Sequence, residues 1–330
     1  VLRIFKSNYE LKPKSTLSSQ AGQRARVGVL LKVEFDDQSL GFSDLHPWPE
    51  LGDAPLEVHL KALRDCQQTV LTQQALNCAM TDAKARKLGK NLFENLPVAK
   101  NHFLVTAPLA LSKESIEKAV KDGFDTVKIK VGRSPFEEAR WISELVERLP
   151  VKLRLDFNAC LSLEGFKKFV QELSVPARAA VEFVEDPLPW NLHDWFLASE
   201  LLPLALDHEI FKMNFREVQN AAPFNVLILK PMRMSLEPLL SQMNHLKLKF
   251  VVTSSLDHPV GVAYAALVAH QLQAKIPENM LQSGCLSTHA YEENLFLSSF
   301  KTEGPFFIGT LGAGIGFDAQ LAALKWDLLL

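Results

Sequence analysis

The chain has 330 residues, 47% of them apolar and 22% charged. At about 150 residues per domain it has room for roughly two domains, with the make-up of a folded globular protein. Lys and Arg total 36 against 38 Asp and Glu, a formal net charge of −2. That balance argues against a general nucleic-acid binder, which carries a basic excess. The longest apolar run, Val260 to Ala269 between Pro259 and His270, is about half of the roughly 20 residues a membrane helix needs.

Cys66, Cys78, Cys160 and Cys285 stand apart with no C-x-x-C pair, which excludes a zinc knuckle or a thioredoxin-type motif. So few cysteines, and an N-terminus (VLRIFKSNYELKP) without the apolar core of a signal peptide, lead us to expect a cytoplasmic protein.

The first hundred residues read as strands followed by helices. Val27 to Phe35 has the aliphatic and β-branched content of a strand, and Val1 to Leu11 is its expected partner. Polar, Pro- and Ser-bearing stretches over residues 12–24 and 43–55 read as loops. From Leu56 to Leu88 apolar residues recur three and four apart, as in helices, and Gly89 suits their end. This segment, residues 1–100, is expected to form an α+β capping domain.

From about residue 102 the pattern changes. Eight short β-rich runs follow: 102–107, 126–131, 151–156, 180–186, 202–207, 225–230, 249–255 and 279–284. Helical patterns fill the gaps, and three of them begin at Ser112, Ser134 and Ser162, residues suited to N-caps. Alternating strands and helices mean parallel strands, and eight units suggest a (β/α)8-type barrel over residues 101–305 rather than an open sheet. No G-x-G-x-x-G follows any run, which counts against a dinucleotide-binding fold. Residues 306–330, with the Gly-rich GTLGAGIGF, are expected to return to the capping domain. No Lys-Ser or Lys-Thr follows those glycines, so a phosphate cradle is the weaker reading.

In such a barrel the side chains at the C-terminal ends of strands form the site. Here they include Lys128, Lys130, Arg154, Asp156, Asn158, Glu185, Asp207, Lys230, Ser254 and Ser255. Asp156, Glu185 and Asp207 end three successive runs, and ionised carboxylates gathered together need a cation. Hard oxygen ligands with room for water suit Mg²⁺, with Mn²⁺ an alternative. Glu209 is the alternative to Asp207. Lys128 and Lys130 are two apart, so they share one face of their strand. A partly desolvated lysine beside other cations has a lowered pKa and can act as a base. Lys230 approaches from the opposite side.

K-x-K at 128–130, LRLDFN at 153–158, VEDP at 184–187 and ILKP at 228–231 resemble, in order and spacing, the strand-end motifs of the enolase superfamily. The R-x-D-x-N triplet at Arg154, Asp156 and Asn158 and the run Thr253 to Ser255 favour its o-succinylbenzoate synthase branch. The resemblance implies a modified (β/α)8 barrel with a capping domain. It also implies a Mg²⁺-dependent lyase of menaquinone synthesis that dehydrates a cyclohexadiene carboxylate by syn elimination. Lys130 would be base and then acid, Lys230 would stabilise the enediolate, and Lys128 would tune Lys130. Asp156, Glu185 and Asp207 would hold the metal. Arg154 and Asn158 would support them and contribute to substrate binding, and Ser254 and Ser255 would receive the substrate's second carboxylate. The only expected partner is a small-molecule carboxylate, with neither nucleic acid nor membrane, and a monomer is favoured. The competing activity is N-succinylamino acid racemisation with Lys130 and Lys230 as two bases. Residues 283–289 (SGCLSTH) lack the acidic pair that dipeptide epimerases of the superfamily use to grip an ammonium.

Overall fold

The structure is a computed structural model that describes residue 1, residues 3–17 and residues 23–330. Residues 18–22 of the loop expected over 12–24 lie outside the described residues.

The capping unit begins with an antiparallel sheet of β1 (Arg3–Leu11), β2 (Arg26–Glu34) and β3 (Leu40–Leu45). Its register places Arg3 opposite Glu34 and Leu11 opposite Arg26. Two helices follow, α1 (Leu56–Arg64) and α2 (Val70–Lys87). The sequence pattern runs through both without a break, but the backbone interrupts it at Cys66, which has φ +55°. Helix α2 restarts at a reciprocal cap between Thr69 and Thr72. Past its end, Gly89 takes the left-handed conformation at φ +63°, where a Cβ would be strained.

Gly41 shows how tightly the sheet and α2 pack. A Cβ there would lie 1.9 Å from the Ala79 carbonyl oxygen on α2. Gly41→Ala is therefore expected to force the two apart and to lower stability by about 1–3 kcal/mol, the usual cost of overpacking. Urea unfolding monitored by tryptophan fluorescence measures this as a lowered midpoint.

The second unit alternates strands and helices. In chain order they are β4 (Phe103–Val105), α3 (Lys113–Lys121), β5 (Thr126–Lys130), α4 (Pro135–Arg148) and β6 (Lys152–Asp156). Next come α5 (Leu163–Glu172), α6 (Val175–Ala180), β7 (Val181–Glu185), α7 (Leu192–Ser199) and β8 (Leu204–Leu206). The series ends with β9 (Val226–Leu229), α8 (Leu236–Met243), β10 (Lys249–Val252) and α9 (Pro259–Lys275). The strands β4 to β10 form one parallel sheet in sequence order. Ser112, Ser134 and Ser162 all stand at N-caps, but only Ser162 accepts a backbone N–H with its side chain, from Gly165 at 3.1 Å.

The expected eighth strand is not regular. Residues 279–284 instead make isolated bridges, Met280 to Phe250 and Gly284 to Thr253 on one side and Ser283 to Asn101 on the other. Backbone bonds from Leu281 to Phe250, from Gly284 to Val252 and from His102 to Ser283 stitch both edges of the sheet to this segment. It closes the ring without a continuous ladder. The β8–β9 connection also departs from the alternating pattern. It holds two short 3-10 turns, His208–Phe211 and Phe215–Val218, in a stretch punctuated by Asn214, Asn220 and Pro223.

The main core lies between strands and helices, and includes Ile129, Leu153, Leu155, Phe157, Phe166 and Trp195. Inside the ring, Phe183, Ala205, Val226, Ile228 and Val251 form a separate apolar plug. That plug leaves only the C-terminal mouth for chemistry.

The chain ends with a hairpin of β11 (Phe300–Glu303) and β12 (Phe306–Thr310), then α10 (Asp318–Ala322) and β13 (Asp327–Leu328). Strand β13 pairs with β1 in the capping sheet. The Gly-rich run is packed against the capping helix: buried Asp82 accepts the Ile315 N–H at 2.7 Å and the Phe42 N–H at 2.8 Å. No helix among the described residues is long and apolar enough to cross a membrane.

Candidate active site

Alternation along β5 sends Lys128 and Lys130 into the ring and Ile129 into the strand–helix core. The same parity sends Arg154 and Asp156 inward from β6, while Glu185 ends β7 and Asp207 follows β8. Lys230 follows β9, four strands from β5, so it faces Lys130 across a closed ring of eight segments. One cavity at the mouth is lined by Lys128, Lys130, Asp156, Asn158, Asp207, Lys230, Ser254 and Ser255. Most of the residues singled out in the sequence therefore meet in one place.

Their charges interlock. The Lys128 ammonium donates to Glu185 Oε2 and lies 3.0 Å from Asp156 Oδ2. Lys130 is 3.6 Å from the same Asp156 oxygen, and Lys230 donates to Asp207 Oδ2 at 2.5 Å. Burial alone would lower the Lys128 pKa, but Asp156, Glu185 and Asp207 outweigh it and hold the ammonium charged. Burial would likewise raise Asp156, yet Lys128, Lys130 and Lys230 keep its carboxyl well below the usual range. Glu185 is different. Burial, Asp156 and Asp207 push it up, to about 7, because one ammonium cannot neutralise two carboxylates at once.

Lys130 has a lowered pKa. Burial is the largest cause, and the Lys128 and Lys230 charges add to it against the pull of Asp156. A base must be unprotonated to accept a proton, so kcat/KM is expected to rise with pH through this lowered pKa and then level off. A pH–rate profile checks the sign. A rate that falls over the same range would remove Lys130 from the role of base.

The surroundings hold these groups in place. Asn158, at φ +51°, donates both its backbone and side-chain N–H to Asp156 Oδ1. Asp186, at φ +37°, accepts the backbone N–H groups of Asp207 and Glu209, each at 3.0 Å. That ties the end of β8 to the end of β7. Glu209, the alternative ligand, points elsewhere: it accepts the Trp190 N–H and pairs with Lys212 at 2.7 Å. Asp207 is the one that lines the cavity.

Arg154 corrects an expectation. It has no exposed surface and does not line the cavity, so it is not placed to bind substrate. It lies two residues before Asp156, deeper in the ring, with its guanidinium over the Phe183 ring. It donates to Glu182 at 2.7 Å, to His102 Nδ1 at 2.9 Å and to the Gln282 carbonyl at 2.6 Å.

Several lining residues come from outside the strand ends. Trp48 and Leu51 of the 43–55 loop reach over the mouth, and Trp48 packs against the Arg26 guanidinium, 3.9 Å from the ring centre. His46 sits behind, against the Tyr9 hydroxyl at 2.8 Å. Arg233, three residues beyond Lys230, grips both Asp53 oxygens at 2.6 Å and so fastens the capping loop to the barrel. Cys285 and His289 bond to backbone carbonyls and serve packing. Ser254 bonds to Ser287, and the buried Ser255 hydroxyl has no partner.

Among the described residues, no three His, Cys, Asp or Glu side chains are drawn together as a ready metal cluster. Lysine ammoniums hold the carboxylates instead. The donor set nonetheless fits a divalent cation. Glu185 Oε1 and Asp207 Oδ1 are buried with no hydrogen-bond partner, and Glu185 is short of positive charge. Unsatisfied buried carboxylate oxygens are costly, and a cation is what they lack.

Comparison with known proteins adds an independent line. Residues 4–85 match the family model described as O-succinylbenzoate synthase, N-terminal domain, and residues 112–323 match Enolase C-terminal domain-like. The chain is 38% identical to an o-succinylbenzoate synthase of Bdellovibrio bacteriovorus, over 99% of this chain and 98% of that protein. Its fold is similar to a muconate lactonizing enzyme from Mucobacterium smegmatis, with TM-score 0.79, 17% identity and coverage of 99% and 100%. It is equally similar to the L-Ala-D/L-Glu epimerase of Bacillus subtilis, with TM-score 0.79, 18% identity and coverage of 96% and 98%. Those two establish the fold, a modified barrel with a capping domain. The near-full-length match establishes the rest: this chain belongs to the o-succinylbenzoate synthase family of the enolase superfamily.

Proposed function

We propose that the protein is a dehydratase, a carbon–oxygen lyase. It converts 2-succinyl-6-hydroxy-2,4-cyclohexadiene-1-carboxylate to o-succinylbenzoate in menaquinone synthesis, with Mg²⁺ as its metal. The observation that carries this reading is the grouping of the buried Lys130, whose pKa is lowered, with Asp156, Glu185, Asp207 and a facing Lys230, in a chain 38% identical over its length to a protein of that name.

Asp156, Glu185 and Asp207 would hold the cation, which supplies positive charge beside the substrate carboxylate when bound. Neutral Lys130 Nζ removes the proton α to that carboxylate, and the electron pair moves toward the carboxylate oxygens. Lys230, which pairs with Asp207 on the opposite face, stabilises that charge. Lys130, now an ammonium, returns its proton to the departing hydroxyl on the same face. Water leaves, and the ring becomes aromatic. One group acting twice on one face makes this a syn elimination. Trp48 and Leu51 of the capping loop line the same cavity.

Two lysines facing each other across a ring also suit racemisation of N-succinylamino acids, the second reading. The test is incubation with the diene and Mg²⁺, followed as loss of diene absorbance. Turnover that stops with EDTA and with Lys130→Ala supports the dehydratase. No turnover, with α-proton exchange of N-succinylamino acids in D₂O, transfers the assignment to the racemase.

A further inference from the structure

His102 lies where β4 meets the irregular segment that closes the ring. Its backbone N–H donates to the Ser283 carbonyl at 2.8 Å, and its ring lines the cavity. The side chain is buried, 3% exposed. Its Nδ1 is 2.9 Å from Arg154 Nη1. A guanidinium has only N–H donors and keeps its proton in proteins, so Nδ1 must be the acceptor and carry no hydrogen. The ring's one proton then sits on Nε2, which makes no hydrogen bond among the described residues.

Two features support this arrangement. Arg154 is itself immobilised by Glu182, the Gln282 carbonyl and the Phe183 ring, so the imidazole is gripped from a rigid base. Burial, Arg154 and Lys128 also drive the His102 pKa well below its ordinary value, so the ring is neutral. Space for it comes from Gly284: a Cβ there would lie 2.6 Å from His102 Nε2 and 2.9 Å from Thr253 Cγ2. The Thr253 hydroxyl, also in the lining, is buried and unpartnered. This stretch of the lining thus offers neutral donors, set between the lysines that follow from β5 and β9.

We propose that His102 is a ligand-binding residue that donates its Nε2–H to an oxygen of the ligand's succinyl arm, and that Arg154 is the positioning residue that fixes its tautomer. The identity of the ligand rests on the dehydratase reading; the tautomer does not. A neutral donor orients the arm without adding a further cation beside Lys128, Lys130, Lys230 and Arg233.

The first arm of the test is nitrogen NMR of protein labelled at histidine. The expected His102 signal, assigned by its loss in His102→Gln, shows a protonated Nε2 and a bare Nδ1 from pH 6 to 8. An imidazolium or an Nδ1–H tautomer overturns the proposal. The second arm is calorimetric binding of o-succinylbenzoate in the presence of Mg²⁺. Gln places an amide N–H near the Nε2 position, so His102→Gln is expected to stay close to wild type. His102→Leu, of similar bulk, is expected to weaken binding about tenfold or more, as for loss of a hydrogen bond to a charged group. Equal affinities for the Gln and Leu variants also overturn it. Wild-type protein that leaves o-succinylbenzoate unbound overturns the dehydratase reading instead, and the NMR result separates the two failures.

Discussion

Lys130→Ala is expected to lower kcat for dehydration by about a thousandfold or more, with a much smaller change in KM. General acid–base catalysis by one placed group contributes about 10²–10⁴ in rate, and here one nitrogen serves both proton transfers. Its place follows from the fold. Strand parity turns Lys130 inward at the C-terminal end of β5, and the flanking Lys128 and Lys230 charges, with burial, lower its pKa. Lys128 cannot replace it, because Asp156 and Glu185 keep that ammonium charged. Lys230→Ala is expected to cost less, about 10²–10³ in kcat, because it removes electrostatic stabilisation and leaves the proton route intact. A racemase would lose exchange in both variants to a similar degree. Steady-state kinetics of the two variants decides between these patterns.

Glu185→Gln is expected to weaken Mg²⁺ binding by more than the 10–100-fold typical of supporting residues, and to remove most turnover at ordinary Mg²⁺ concentrations. Glu185 has no exposed surface, and one of its oxygens has no partner. The amide keeps the shape and loses the charge, so a structural role alone would leave metal affinity unmoved. Asp207→Asn is expected to behave alike. Glu209→Gln is expected to leave metal affinity near wild type, because Glu209 is spent on the Trp190 N–H and Lys212. Calorimetric titration with Mg²⁺ measures all three, and equal losses at Asp207 and Glu209 would undo the ligand assignment.

Much of this site was legible because two simple regularities act together. Parallel strands expose their C-terminal ends at one mouth, and the two-residue repeat tells which side chains turn inward. That sufficed to place Lys128, Lys130, Asp156, Glu185, Asp207 and Lys230 at one mouth. The same parity misled for Arg154: it shares the inward face with Asp156 but lies deeper, where Glu182 and His102 engage it. His102 was hidden because it precedes its strand and reaches the cavity only through a seam with Gly284. The bond between Arg233 and Asp53 joins residues 180 positions apart, and no local pattern encodes such a pairing. The eighth β-rich run was read as a strand from its composition, whereas its backbone makes only isolated bridges to its two neighbours. The β8–β9 connection was read as helical from the alternation of its neighbours, which could not anticipate two short turns.

The central claim is that this site removes an α-proton and expels the hydroxyl as water on one face. The most direct measurement compares, in one preparation with Mg²⁺, kcat/KM for aromatisation of 2-succinyl-6-hydroxy-2,4-cyclohexadiene-1-carboxylate with kcat/KM for racemisation of an N-succinylamino acid. The account predicts that dehydration dominates and that Lys130→Ala abolishes it. Racemisation exceeding dehydration, or dehydration that survives Lys130→Ala, would contradict it.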